Sequence, residues 1–334
     1  MPNEETQKKV ETIAAIDIGY SAVKIAYGQK GGQPEVKTLV AGAGPASIVS
    51  EGIGSQVGAD CCLVTMDEES WVVGVEPSRL QGWQRALFAD YPSTRQYQAL
   101  LKGALLVTGD DTIDHLVTGL PVAQALDPQK VAELKKLMLG EHQVTPKRTV
   151  TVKDVQVLPQ PIGAWLDYLV QNETDAQWLE HALCIVIDIG FFSVDWVGID
   201  NSELLKKMAG TSTNAMSALI DAANTLIATE YGGSVGRDKI ERALREEQKE
   251  ISVYGKSVLL QPFIEAAAKT TVEQALLHMQ QNLRIDEHTF DAVLLTGGGA
   301  SIYSKMVEKM YPKAKILKST QPVLANARGF WSYV

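Results

Sequence analysis

A short apolar run ending in Asp-x-Gly occurs twice in this chain, as "AAIDIGYSAVK" at residues 14–24 and as "CIVIDIGFFSVDW" at 184–196. The two aspartates, Asp17 and Asp188, stand 171 residues apart in a chain of 334, about half its length. Each copy reads as a β-strand that leaves through an acidic residue and turns sharply at a glycine. Such a turn exposes backbone N–H groups beside a carboxylate, a concave surface suited to phosphate oxygens. One copy alone is better read as a structural strand-turn-strand with a capping aspartate. Two copies at half-chain spacing point instead to two similar halves whose hairpins face one another across a cleft and grip a triphosphate between them.

A chain of this length exceeds what one hydrophobic core organises, so two domains are expected. With 45% hydrophobic and 21% charged residues, the composition is that of a soluble globular protein. No apolar run approaches the ~20 residues that span a bilayer. The opening "MPNEETQKKVE" has no signal-peptide character, so a cytoplasmic location is expected. The closing "ARGFWSYV" offers no basic amphipathic tail, so no membrane partner is expected. Cys61, Cys62 and Cys184 are too few for a disulfide framework and lack Cys-x-x-Cys spacing, and the five histidines never fall in metal-ligand spacing. A net charge of −9, with no basic run longer than two residues, argues against direct contact with nucleic acid.

The segments "ETIAAIDIGY", "VKIAYG", "CLVTM", "WVVGV", "HLVTGLPV" and "VTVKDVQVLPQP" read as strands. A helix is expected over 93–109, with Tyr97, Leu100, Leu101, Ala104 and Leu105 on one face. Another is expected over 127–142, opening with Asp127 as cap and Pro128 at its first position. "GAWLDYLVQN" reads as a helix crossing between the halves. Beyond it, "ALCIVIDIG", "SVDWVGID", "SELLKKMAG" and "FDAVLLTGGG" read as strands, with helices at about 213–231, 236–248, 257–281 and 300–310. Alternation of this kind makes α/β layers. A third glycine turn, "AVLLTGGGASIY" at 292–303, lets backbone approach a flat ligand without Cβ clash, or serves only as a tight strand-to-helix turn.

In the order DIGYSAVK, VLPQPIGAW, DIGFFSVD, LLTGGGAS and ANARGF, spread over essentially the whole chain, the sequence resembles the five nucleotide-site motifs of the actin, Hsp70 and sugar-kinase superfamily. Within it, "TGLPV" at 118–122, the DIGYSAVK opening and the "FFSVDW" loop most resemble bacterial actin-like proteins of the ParM (StbA) plasmid-segregation type. The resemblance implies an α/β, actin-like two-domain fold, ribonuclease H-like and duplicated, with a nucleotide cleft between the domains and an inserted subdomain in each half. Domain I is expected over 10–164 plus 323–334, with its insertion at about 40–95. Domain II is expected over 165–322, with its insertion at about 213–270. ATP or GTP with Mg²⁺ is the implied ligand. The implied activity is slow hydrolysis of ATP to ADP and phosphate, coupled to self-assembly into filaments that move plasmid DNA through a DNA-binding adaptor.

The resemblance also implies roles residue by residue. Asp17 stands near Mg²⁺, Gly19, Tyr20 and Ser21 present amides to the β-phosphate, and Lys24 faces the phosphates. Gln160 orients the attacking water, or is only a solvated loop residue. Asp188 polarises water and helps hold Mg²⁺, both carboxylates acting through water; Gly190 belongs to the same loop. Asp195 nearby is open to reading as a strand-end cap. Gly297, Gly298, Gly299 and Ala300 match the adenosine segment, while Ala327, Arg328 and Gly329 resemble the second connecting helix, with a hinge at Gly163 and Gly329. A basic residue beside the base is expected among Arg237, Lys239 and Arg242, with Lys239 taken as the binding residue.

Some positions depart from the pattern. Phe191 and Phe192 follow Gly190 where relatives carry small residues, so either their rings turn into the core or the γ-phosphate contact is weakened. Thr211 and Ser212 stand where plasmid relatives often show an aspartate. Trp71, Trp83 and Tyr91 read as core of the first insertion or as filament anchors. A small-molecule kinase and a non-hydrolysing scaffold are the competing readings of the same motifs.

Overall fold

The structure is a computed structural model, and the residues it describes are 10–50, 61–82, 90–283 and 290–334. The first half opens with β1 (Thr12–Ile18) and β2 (Ala22–Gln29), an antiparallel pair, and continues into β3 (Glu35–Val40). Every residue of β1 after Thr12 is buried. Burial on both faces is what a central strand of a helix-covered sheet requires, and it accounts for the unbroken apolar run. A smaller sheet follows, made of β4 (Ala43–Pro45), β5 (Cys62–Met66) and β6 (Glu69–Val73) in the order β4-β6-β5. Against both sheets packs α1 (Arg95–Thr108), burying Tyr97, Leu100, Leu101, Ala104 and Leu105 as its spacing foretells. Trp71 and Tyr91 belong to the same buried cluster; Trp83 lies outside the described residues.

The half is completed by β7 (Thr112–Ile113), β8 (His115–Leu120), α2 (Val122–Ala125), α3 (Pro128–Met138), β9 (Gly140–Thr145), β10 (Arg148–Val152) and β11 (Val155–Pro159). In α3 the Asp127 carboxylate accepts from the Gln129 N–H at 2.9 Å, with Pro128 at the first position. The helix expected to reach residue 142 ends at Met138, because Gly140, at φ +99°, starts β9. "VTVKDVQVLPQP" is two strands rather than one: β10 joins β7 and β9, while β11 pairs with β8 in the main sheet.

The second half repeats the plan. After α4 (Gln160–Gln171) and α5 (Glu173–Leu179) come β12 (Leu183–Ile189), β13 (Val194–Asp200) and β14 (Glu203–Ser212), then α6 (Met216–Tyr231) and α7 (Arg237–Arg245). A hairpin of β15 (Glu250–Val253) and β16 (Lys256–Leu259) takes the place of the helix start expected near 257, and α8 (Gln261–Leu283) begins after it. The half closes with β17 (Ala292–Thr296), α9 (Ala300–Met310), β18 (Lys315–Lys318) and α10 (Ala325–Trp331). The first sheet runs β3-β2-β1-β8-β11 and the second β14-β13-β12-β17-β18. In each, the lead strand pairs antiparallel with its hairpin partner and parallel with the strand on its other side. The two sheets thus follow one plan, duplicated as the repeated motif implies.

Two helices connect the halves by crossing. Ala164, Trp165 and Tyr168 of α4 join the core under β12, and Ala327, Phe330 and Trp331 of α10 return to β1 and β2 of the first sheet. Where they cross, a Cβ on Gly329 would lie 1.6 Å from the Gly163 carbonyl oxygen, so only glycine fits. Beside this contact the Arg328 guanidinium donates to both Asp167 carboxylate oxygens, at 2.8 and 2.7 Å, a bidentate pair shielded from solvent. Among the described residues no helix is long and apolar enough to cross a membrane.

Candidate functional site

The two repeated turns face the same cavity, of about 510 Å³, between the sheets. That volume suits a ligand of nucleotide size. Each turn is closed identically: the Gly19 N–H donates to the Ala22 carbonyl at 3.0 Å, and the Gly190 N–H to the Ser193 carbonyl at 2.9 Å. Strand register then sets a difference between them. Lys24 stands opposite Asp17 across β1 and β2, whereas Asp195 stands opposite Asp188 across β12 and β13.

Asp17 is buried with both oxygens engaged, Oδ2 by Lys24 Nζ and Oδ1 by Gln160 Nε2, each at 3.0 Å. Gln160, at the start of α4, is therefore part of the site and not a solvated loop residue. Asp188 has no lysine opposite it; Asn326 Nδ2 donates to its Oδ2 at 2.7 Å. Burial, reinforced by the charges of Asp17 and Asp195 and only partly offset by Asn326 and Lys24, pushes the Asp188 carboxyl up to about 7. Asp195 is also buried and raised, and is satisfied by the Ser193 and Thr211 hydroxyls, both at 2.6 Å, and by the Val122 N–H at 2.7 Å. Thr211 thus serves Asp195 and, by accepting from the Ala123 N–H at 3.0 Å, ties β14 to α2 of the other half.

The two phenylalanines divide their tasks. Phe191 packs against the core of the second half, while Phe192 lies on the ring of Tyr20 with centroids 4.6 Å apart. Tyr20 stacks in turn on Tyr91 at 4.4 Å, and Tyr97 meets Tyr91 edge-on at 5.3 Å. An aromatic chain therefore joins the first turn, the second turn and the start of α1. Two polar ties also cross the cleft: the Ser21 hydroxyl donates to Glu241, and Arg245 donates to Glu76.

In the third turn, glycine is demanded mainly by the protein itself. Gly297, at φ +84°, would place a Cβ 2.4 Å from Asp188 Oδ1, and a Cβ on Gly299 would meet the Ile189 side chain at 2.3 Å. Gly298 is open, and with Gly297 and Ser301 it lines the cavity; Gly299 and Ala300 sit behind that wall. Met216, Ile220, Leu244, Pro322 and Val323 add apolar lining on this side. Lys239, taken from sequence as the base-side residue, does not line the cavity. Its ammonium is bonded to the Ser252 carbonyl on β15, and Arg237 is paired with Asp221. The residues of α7 that do line it are Glu241, Leu244 and Arg245, spaced as one helical face, with Lys239 two positions out of phase. Sequence reasoning overlooked Glu241 and Asn326; the i, i+3, i+4 spacing of 241, 244 and 245 was the available signal for the first.

Among the described residues no group of three or more His, Cys, Asp and Glu side chains could hold a metal ion by itself. Two buried carboxylates in a cavity that also carries Asp195, Glu241 and Glu247 against Lys24 and Arg245 do fit Mg²⁺ delivered with phosphates and its own waters.

Residues 15–163 match the family of actin-like proteins, N-terminal domain, and residues 186–309 match the archaeal actin homologue MreB-like C-terminal family. An archaeal actin homologue of known structure aligns with a TM-score of 0.75 at 19% identity, covering 97% of this chain and 99% of its own. The same homologue in complex with ADP aligns at 0.68 and 20% identity, covering 97% and 99%. A ParM in a 15-stranded filament from Clostridium botulinum aligns at 0.75 and 17% identity, again covering 97% and 99%. No curated protein matches the chain. At these identities the structural likenesses establish the fold.

Proposed function

The chain is an actin-like protein, and from that premise we propose that it binds ATP with Mg²⁺ in the cleft, assembles into filaments in the ATP form, and hydrolyses ATP slowly to ADP and phosphate. The observation that carries this reading is the convergence of two identically closed glycine turns, each with a buried aspartate, on one cavity. In this reading residues 10–164 with 323–334 form one domain and 165–322 the other, and nucleotide bridges them. Support for assembly comes from relatives in fold: a ParM is solved as a filament and another ParM structure is of a non-polymerisable mutant. Transport of plasmid DNA through an adaptor protein extends the same reading.

Hydrolysis by such a site needs little covalent help from protein; it needs an in-line water and neutralised charge. Bound Mg²⁺, held through water by Asp17 and Asp188, would supply most of that neutralisation. The Gly19 and Gly190 N–H groups close their own turns, so the Gly19 amide does not take the phosphate role expected of it; the amides that follow, at 20–21 and 191–192, bind phosphate oxygens from opposite sides, and Lys24 adds a point charge. Gln160, bonded to Asp17, turns its amide to the attacking water once Asp17 engages the hydrated cation, and Asp188 accepts a hydrogen bond from that water. Glu241 offers a carboxylate to ligand hydroxyls, and Gly298, Met216, Ile220 and Leu244 take the flat apolar face of the base. The Tyr20, Tyr91 and Phe192 rings keep solvent from the phosphate end.

Calorimetric titration with ATP, GTP and ADP, with and without Mg²⁺, tests the site. The expected result is nucleotide binding that weakens at least about tenfold without Mg²⁺ and is lost in Asp17→Ala. Equal affinity with and without the metal would contradict the proposed use of the two carboxylates.

A further inference from the structure

Two amide side chains stand in matched positions behind the two cleft carboxylates. Gln160 begins α4 and holds Asp17; Asn326 lies in the first turn of α10 and holds Asp188. The helices that carry them cross at Gly163 and Gly329 and are clamped by Arg328 on Asp167. Gln160 has a role in the functional reading above, whereas Asn326 has none.

Three observations give it one. Beside a cation Asp188 is ionised and only accepts, so the amide nitrogen, which donates to it at 2.7 Å, is the group that must face it in that state. Asn326 is 8% exposed, and its Oδ1 is shut away with no hydrogen-bond partner among the described residues. Packing of α10 does not explain such a residue, because an apolar side chain of the same size would fill the space without an unsatisfied acceptor. Finally, the register that gives Asp17 its lysine gives Asp188 another acid, leaving the rotation of Asp188 to Asn326 on one oxygen and the backbone at Gly297 beside the other.

We infer that Asn326 is a positioning residue for Asp188: its N–H fixes the rotation of the carboxylate that holds hydrated Mg²⁺ and the attacking water, and links that rotation to the crossing of α4 and α10. The inference rests on the proposed function, on its turnover for the kinetic consequence and on its Mg²⁺-nucleotide site alone for the consequence on metal use.

Asn326→Leu, nearly isosteric, and Asn326→Ser, smaller and free of overpacking, test it in the full chain. Four quantities are measured: kcat and KM for phosphate release, ADP affinity at saturating Mg²⁺, the Mg²⁺ concentration that half-saturates nucleotide binding, and the melting temperature. The expected result is a kcat lower by about 10-fold or more and a several-fold higher Mg²⁺ half-saturation, with KM and ADP affinity within about threefold of the parent. Parental kcat and Mg²⁺ half-saturation in either folded variant overturn the inference. So does a loss of kcat matched by equal losses of ADP affinity and melting temperature, which is the signature of damaged α10 packing. If the parent protein binds nucleotide without turning it over, the ATPase reading fails by itself, and an unchanged Mg²⁺ half-saturation in the variants then overturns the inference separately. Should the leucine variant not fold, the serine variant decides by the same criteria.

Discussion

At residue scale, the buried Asp188 carboxyl gives the proposed cation site a measurable signature. Its folded value, about 7, lies above the usual 3.8, so between these limits the folded protein binds a proton that the unfolded chain does not. The stability this proton contributes is complete below about pH 4 and is lost as the pH rises through about 7. Free of nucleotide and metal, the protein should lose denaturant stability between about pH 4 and 7, and Asp188→Asn should flatten that decline, leaving the contribution of Asp195. Identical slopes in parent and variant would show that Asp188 titrates normally. The same variant should lower phosphate release by about 10²-fold, since the neutral amide oxygen is a far weaker base and acceptor for the water than a carboxylate. Asp17, Asp188 and Gly190 were legible from sequence because a repeated, buried strand-turn announces them; Lys24 follows the first turn only, and Gln160 was reached only through the resemblance of VLPQPIGAW to a superfamily motif. Lys239 misled because a basic residue can be counted in a sequence, whereas the phase of a nine-residue helix against its neighbours is set only by packing, here the contact of α7 with α6 and β15. Asn326 was hidden for a related reason, as its meaning comes from a partner 138 residues away.

At the scale of elements, the crossing of α4 and α10 is the most constrained contact. Gly329→Ala would drive a methyl group into the Gly163 carbonyl, and overpacking of this kind costs about 1–3 kcal/mol. Urea unfolding should register that loss in the transition midpoint, while Gly31→Ala would be uninformative because Gly31 itself sits at φ +81°. The two turns predict a kinetic effect. Phe192→Ser removes the tilted ring that bridges to Tyr20, and an aromatic pair is worth about 0.5–1.5 kcal/mol beyond its burial. Release of a fluorescent nucleotide analogue should therefore quicken by about 2–10-fold, and an unchanged release rate would mean that the aromatic chain does not restrain opening. Strands β1, β12 and β17 were readable because burial on both faces leaves a long apolar run. The edge strand β9 was not, since its "GEHQVT" buries only Val144 and carries the polar residues of a helix end.

Across the whole molecule, the halves are joined by the crossing helices at one end of the cleft and by Tyr20 with Phe192, Ser21 with Glu241 and Arg245 with Glu76 along it. A ligand seated between the turns would act on all of these contacts at once, which is how occupancy can bias the angle between the domains and hence the surface offered to a second copy. Duplication, the two-domain plan and the cleft were all foreseeable from 171-residue spacing of one motif. The cross-cleft ties were not, because each joins residues that nothing local relates. The most direct test is right-angle light scattering of the purified protein with Mg-ATP, Mg-GTP, Mg-ADP and no nucleotide, recorded alongside phosphate release. The account predicts a scattering rise that requires a nucleoside triphosphate and decays as phosphate appears; steady ATP turnover with no rise in scattering would contradict it.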